Sequence, residues 1–317
     1  MKKDVIIVKD LIKRYKKAEV NAVDGVSFSV ERGEFFSLLG PNGAGKTTTI
    51  SILTTTLGKT SGTVKVAGFD IDKKSSNIRN KVGIIFQNPS LDLNLSAEEN
   101  VRFHAILYGM YPYRPSFRSM PDDYKNRVKE LSEVVGISDS LFSPVKSFSG
   151  GMKRKLEIVR SLMHEPEILF LDEPTSGLDP LARKNLWEYL KLVRDKHGTT
   201  VFLTTHYLDE SEGADRVCVI NHGKVQFLGS PTSLKKKLGG TKLILDSKDR
   251  TNLEKELKVK KIDFEGEGPF KITADQSSMQ TLISSIDAKL SLIDIENPTL
   301  EEAYIALVGE RRENNHA

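Results

Sequence analysis

Apolar and polar positions change rhythm several times along this chain. Residues 5–12 are rich in β-branched side chains, and residues 21–30 alternate toward their end; both predict strands, as does a short alternating run at 62–68. Residues 35–39, 167–173 and 199–205 differ. Their interiors are apolar, interrupted only by the small Ser37, the pattern of strands covered on both faces in a parallel sheet. Residues 82–86 form another strand, stopped by Asn88 and Pro89. Residues 216–220 and 224–228 frame a turn at Asn221, His222 and Gly223, a hairpin signal. Helical spacing predicts a helix at 95–108, with Ser96 as N-cap three residues before Glu99, and another at 122–135, stopped by Gly136. Ser149 caps a helix running to 164, and Leu186, Leu190 and Val193 mark a long helix over 181–196, with Trp187 expected in the core. A short helix is expected at 208–214, and the proline-containing stretch 109–121 reads as a loop. These elements predict an α/β fold: a small antiparallel sheet beside a parallel core, with a mostly helical insertion over about residues 89–165.

Past residue 230 the periodicities start afresh. A helix begins after residues 229–232, and Gly239 and Gly240 end it. The expected organisation is a first domain over 1–230, a linker helix over 231–240, a small α+β domain over 241–309 and a frayed polar tail over 310–317. Within the small domain, strands are expected at 242–245, 262–264, 270–273 and 292–295, and helices at 253–259, 279–290 and 300–308.

Composition narrows the class. The chain has 317 residues, 38% apolar and 28% charged, which describes a folded protein of about two domains. It holds no run of about 18 apolar residues, and Met1-Lys2-Lys3-Asp4 opens no apolar leader, so a cytoplasmic chain is expected. The single cysteine, Cys218, excludes an intramolecular disulfide framework and sits in an apolar run as a core thiol. A formal charge of +4 does not point to nucleic acid, and no nucleic-acid partner is expected.

Gly40, Pro41, Asn42, Gly43, Ala44, Gly45, Lys46 and Thr47 follow a buried strand and precede a helix beginning near Thr48. That is the Gly-x-x-x-x-Gly-Lys-Thr phosphate loop in its required setting. Its backbone N–H groups form an anion nest at a helix N-terminus; Lys46 reaches the β- and γ-phosphates, and Thr47 offers a hydroxyl to Mg²⁺. Asp172 and Glu173 close an apolar strand at its carboxyl end, where open α/β sheets place ligands. One carboxylate suits Mg²⁺ and the other an attacking water. Gln87 and His206 also end apolar strands, whereas the remaining histidines show no ligand spacing. Ser149, Gly150 and Gly151 open a basic helix and make either an ordinary cap or a second anion site facing a second subunit.

Taken in order, these segments resemble the ATP-binding subunit of an ATP-binding-cassette (ABC) transporter over roughly residues 4–230. The match comprises the phosphate loop, Gln87, a signature-like Phe148-Ser-Gly-Gly-Met152, the strand ending at Asp172 and Glu173, the loop from Ser176 to Asp179, and the switch residue His206. The resemblance implies ATP hydrolysis with ATP and Mg²⁺. Tyr15 would stack on adenine, residues 42–48 would cradle the phosphates, and Thr47, Asp172 and Gln87 would hold Mg²⁺. Glu173 would be the general base and His206 would bind the γ-phosphate. Ser149 and Gly151 would complete the site of a second subunit, and Asp179 lies in the crossing loop, so a head-to-tail dimer is implied; the two intact half-site sets favour a homodimer over a heterodimer. Phe148 and Met152 replace the usual Leu and Gln of the signature. With the Pro298–Tyr304 stretch, they resemble drug- and antibiotic-exporter and sodium-efflux ATPases, which implies a separate integral-membrane permease of the exporter type. Soluble relatives that work without transport, in DNA repair or on ribosomes, are the alternative; they carry a coiled-coil insertion or two cassettes, and this chain has neither.

Overall fold

The computed structural model describes residues 3–87, 90–176, 178–236, 241–274, 276–296 and 299–313. Asn88, Pro89, Gly177, Leu238, Gly239, Gly240, Pro298 and the end of the expected tail lie outside them. The chain divides into two compact units, residues 1–228 and 229–317.

In the first unit the chain runs β1 (Asp4–Lys13), β2 (Val23–Glu31), β3 (Phe35–Leu39), α1 (Lys46–Leu53), β4 (Ser61–Val66), β5 (Phe69–Asp70), α2 (Ser75–Arg79) and β6 (Val82–Ile85). A helical stretch follows, with α3 (Ala97–Leu107), α4 (Asp122–Val135) and α5 (Gly150–Leu162). The chain then alternates through β7 (Ile168–Asp172), α6 (Pro180–His197), β8 (Thr200–Thr205), α7 (Leu208–Ser211), β9 (Arg216–Asn221) and β10 (Lys224–Gly229). Strands β2, β1, β4 and β5 form one sheet in that order, paired antiparallel. The second sheet has the order β10-β9-β3-β8-β7-β6, with parallel pairing from β9 through β6.

Strands β3, β7 and β8 are buried at every position, as their mostly apolar runs lead one to expect. Phe28 of the antiparallel sheet stacks on Phe36 of the parallel one at 5.3 Å, and Phe36 on Phe202 at 5.4 Å, so the two sheets share one aromatic core. Helix ends follow local chemistry. Ser96 and Glu99 form the reciprocal capping box of α3, and Gly136 adopts the left-handed cap of α4 at φ 68°. Trp187 is half-buried, its ring 5.4 Å from Phe35, and Cys218 is buried. Burial raises the Cys218 thiol to about 12, so it carries no thiolate at neutral pH.

The second unit holds α8 (Pro231–Lys236), β11 (Thr241–Ser247), α9 (Arg250–Val259), β12 (Phe270–Ala274), α10 (Gln276–Ser285), β13 (Leu290–Glu296) and α11 (Leu300–Glu313). Its sheet has the order β12-β11-β13, roofed by Leu253 and Leu257 of α9 and Leu282 and Ile283 of α10. Three expectations change here. Residues 262–264 form no strand: Ile262 and Phe264 instead pack on the core, and only Glu265 bridges to Lys271. The expected helix over 279–290 ends at Ser285, because its last residues turn toward β13. The terminal helix continues to Glu313 and takes in residues expected to fray. In the first unit, α2 and a 3₁₀ turn at Phe117–Ser119 were not anticipated, being too short and polar for periodicity to register.

Candidate nucleotide site

The site lies at the carboxyl ends of β3, β6, β7 and β8. The chain leaves β3 and turns through residues 40–45 into α1, whose N-cap is Gly45. Close packing dictates the glycines. A Cβ on Gly40 would sit 2.3 Å from the Ile220 carbonyl, and one on Gly45 would sit 2.5 Å from the Ala22 carbonyl. Gly45 also holds φ +105°, a conformation side chains oppose. Gly45→Ala is therefore expected to weaken nucleotide affinity at least tenfold and lower stability by about 1–3 kcal/mol. Nucleotide titration and thermal unfolding read the two effects, and a variant equal to wild type in both would contradict the steric argument.

A cavity of ≈ 470 Å³ opens over this loop, lined by Asn42, Gly43, residues 45–48, Ala22, Gln87 and Glu173. Lys46 is only 4% exposed. Its Nζ donates to the Gly40 carbonyl at 2.8 Å and the Pro41 carbonyl at 3.2 Å, and lies 3.4 Å from Glu173 Oε1. Thr47 donates from Oγ1 to Asp172 Oδ1 at 3.5 Å, and Thr204 Oγ1 donates to the same oxygen. Gln87 Nε2 donates to Glu173 Oε2 at 3.3 Å. His206 Nδ1 approaches Glu173 Oε1 to 3.2 Å without hydrogen-bond alignment, so its contact becomes ionic only when the ring is protonated. Tyr15, 45% exposed, sets its hydroxyl 3.2 Å from Thr48 Oγ1, leaving ring surface open to solvent at the cavity's side.

Asp172 and Glu173 are both buried. Burial raises the Asp172 carboxyl above the usual range, and repulsion from Glu173 adds to this; hydrogen bonds from Thr204 and Thr47 and the charge on Lys46 oppose it. A cation between Thr47 and Asp172 would offset the same repulsion, and hydroxyl, carboxylate and amide oxygens are hard donors suited to Mg²⁺. Glu173 is held at φ +46°, unusual for a side-chain-bearing residue. Its N–H donates to the Thr204 carbonyl at 3.1 Å and to Thr204 Oγ1 at 3.2 Å, and its own carbonyl accepts from Arg154 Nη2 at 3.3 Å.

The expected residues divide into two groups. Lys46, Thr47, Thr48, Gln87 and Glu173 line the cavity, and Tyr15, Asp172 and His206 reach that lining through their contacts with Thr48, Thr47 and Glu173. Ser149, Gly150, Gly151 and Asp179 are absent from its lining. Ser149 caps α5, accepting from the Met152 N–H at 3.2 Å, and Asp179 caps α6, accepting from the Ala182 N–H at 2.9 Å; both are exposed. Three residues escaped the sequence reading. Ala22 presses on the loop from the β1–β2 turn, Thr204 holds both acidic residues, and Arg154 reaches Glu173 from α5. The adjacent Thr204 and Thr205, at the end of an otherwise apolar strand, were the available signal for Thr204.

Residues 23–176 match the ABC transporter family. The linearmycin resistance ATP-binding protein LnrL of Bacillus subtilis is 39% identical over 233 residues, spanning 73% of this chain and 71% of the relative. The daunorubicin/doxorubicin resistance ATP-binding protein DrrA of Streptomyces peucetius is 35% identical over 309 residues, spanning 91% and 88%. Among solved structures, cbiO1 of Clostridium perfringens, part of an ABC transporter complex, superposes with a TM-score of 0.65 at 29% identity, covering 74% of this chain and 91% of cbiO1. The ATP-binding cassette MJ0796, in a dimeric post-hydrolysis state bound to ADP and Pi, gives a TM-score of 0.63 at 26% identity, covering 71% of this chain and 98% of MJ0796.

Proposed function

The chain belongs to the ATP-binding subunits of ABC transporters and is an ATPase, and from that premise we propose that two copies close head-to-tail around two Mg–ATP to power export through a separate membrane permease. The observation that carries this reading is the convergence of Lys46, Thr47, Gln87 and Glu173 on one cavity, with Asp172 and His206 held against Thr47 and Glu173 of its lining. In it the loop N–H groups and Lys46 hold the phosphates, and Tyr15 lies against the base. Thr47, Asp172 and Gln87 hold Mg²⁺, which supplies charge neutralisation to the phosphates. Glu173 accepts the proton of the attacking water, and His206 holds the γ-phosphate geometry.

The signature segment supports the second half of the reading. A Cβ on Gly150 would meet nothing within 4 Å, and no left-handed φ demands glycine there. A glycine in the first turn of α5 costs helix stability without serving this chain's own packing. Room for a phosphate arriving from a second copy accounts for it, and MJ0796 is itself dimeric. Gly150→Asp is expected to fold normally and bind ATP with unchanged affinity, yet lose turnover at least 100-fold, because its carboxylate faces the incoming γ-phosphate. Full turnover by that variant would remove the signature from the reaction.

Export rests on the relatives, whose names describe linearmycin resistance and daunorubicin/doxorubicin resistance. Among the described residues no helix is long and apolar enough to cross a membrane, so the substrate path is assigned to a partner. Co-purification with a permease, followed by ATP-dependent transport in vesicles, tests this. Capture of soluble partners alone would favour the transport-independent alternative.

A further inference from the structure

Helix α5 does more than carry Ser149, Gly150 and Gly151 at its tip. Arg154, one turn inward, is 5% exposed and points into the protein. Its guanidinium donates from Nε to the Pro174 carbonyl at 2.8 Å, from Nη2 to the Glu173 carbonyl at 3.3 Å, and from Nη1 to the Phe86 carbonyl at 2.6 Å. Nη1 also donates to Glu157 Oε2 at 2.9 Å. Glu157 accepts from the Ser90 N–H at 3.0 Å, and Arg160 donates to the Ser90 carbonyl and hydroxyl, each at 2.6 Å. The backbone on both sides of Gln87 and the backbone carrying Glu173 are thus fastened to one helix.

We propose that Arg154 is a positioning residue that transmits the placement of α5, set by nucleotide in the partner copy, to Glu173 and Gln87 of its own site. The inference rests on the two-copy reading above. Its physical basis is geometric. A guanidinium presents several N–H groups in one fixed plane, so its acceptors move with it as a unit; a lysine ammonium cannot reproduce that fork. The acceptors are main-chain carbonyls and one buried carboxylate, so the contact fixes where the base sits and not what it is. Glu173 needs such fixing, because a left-handed backbone at a side-chain-bearing residue persists only where its surroundings hold it. Thr204 holds the N–H side of Glu173 and Arg154 the carbonyl side. When the Ser149 end of α5 engages a γ-phosphate, the same rigid helix aligns the base and Gln87 below it. Hydrolysis at each site then depends on occupancy of the other.

The test measures ATP turnover against ATP concentration for the full chain, Arg154→Lys, Arg154→Met and Arg154→Met/Glu157→Gln. Removing Arg154 alone leaves Glu157 buried without its cation, which threatens folding; the double variant removes that charge and keeps the acceptor for Ser90. The expected result is a 10–100-fold fall in kcat with KM for ATP within about threefold of wild type, and a Hill coefficient falling from near 2 toward 1. The double variant should regain thermal stability without regaining kcat or cooperativity. Folded variants with wild-type kcat and Hill coefficient would overturn the role. So would equal losses of stability and turnover that the double variant restores together. A non-cooperative wild type with no ATP-dependent dimer would instead remove the two-copy reading, and this inference with it.

Discussion

Glu173→Gln is expected to lower ATP turnover by about 10²–10⁴-fold while ATP binding persists. Glutamine has nearly the same shape and keeps a carbonyl oxygen to accept the Gln87 amide now 3.3 Å away. It cannot take the proton of an attacking water. The change also removes a negative charge 3.4 Å from Lys46 Nζ, in a place where that charge opposes the incoming phosphates. Affinity for ATP should therefore hold or rise. A closed two-copy state, no longer opened by hydrolysis, should accumulate with ATP. Phosphate release measures the first effect and sedimentation with ATP the second. Undiminished hydrolysis would take the base assignment away from Glu173, and a monomer at every concentration would end the sandwich reading.

Lys46→Ala acts on the other side of the same pair. Without nucleotide, the buried ammonium is satisfied by the Gly40 and Pro41 carbonyls and by Glu173. Phosphate oxygens offer it stronger, charge-assisted partners, worth about 1.5–3 kcal/mol each. Alanine forfeits them, and leaves Glu173 facing the phosphates without an intervening cation. Affinity for ATP is expected to fall about 100-fold, which corresponds to about 2.8 kcal/mol. Titration with a fluorescent ATP analogue reads this directly. The two variants thus separate: one binds without turning over, and the other turns over poorly because it binds poorly. If Lys46→Ala retained wild-type affinity and lost only turnover, Lys46 would act in the reaction step alone.

Legibility in the sequence followed the range of the interaction. Helix α4 began and ended where Asp122 and Gly136 placed it, because a left-handed glycine cap and a 3.6-residue stripe are both local facts. The capping box of α3 was readable for the same reason. Helix α2 was not, since five residues with a single apolar position, Ile78, carry no stripe to detect. The stretch 262–264 misled in the opposite direction: its apolar residues satisfy a core contact rather than a ladder. In the site, the phosphate loop and the strand-end residues Gln87, Asp172, Glu173 and His206 announced themselves by position, whereas Thr204, at the end of β8, did not. Arg154 did not, because its neighbours Lys153 and Lys155 look identical to it on a basic helix, and only packing turns one of the three inward.

The amino-acid sequence by itself determined the phosphate loop, the buried strands that end in Gln87, Asp172, Glu173 and His206, and the separate periodicities of the second unit, because glycine geometry and apolar spacing act over a few residues. Only the tertiary structure decided that these strand ends meet around one cavity, that Ser149 and Asp179 stay outside it, and that Arg154 fastens the Glu173 backbone to α5. Those outcomes depend on which strands pair and which helix face is buried. Contacts between residues 20 to 125 positions apart leave no trace in local spacing, and close packing alone selects among them.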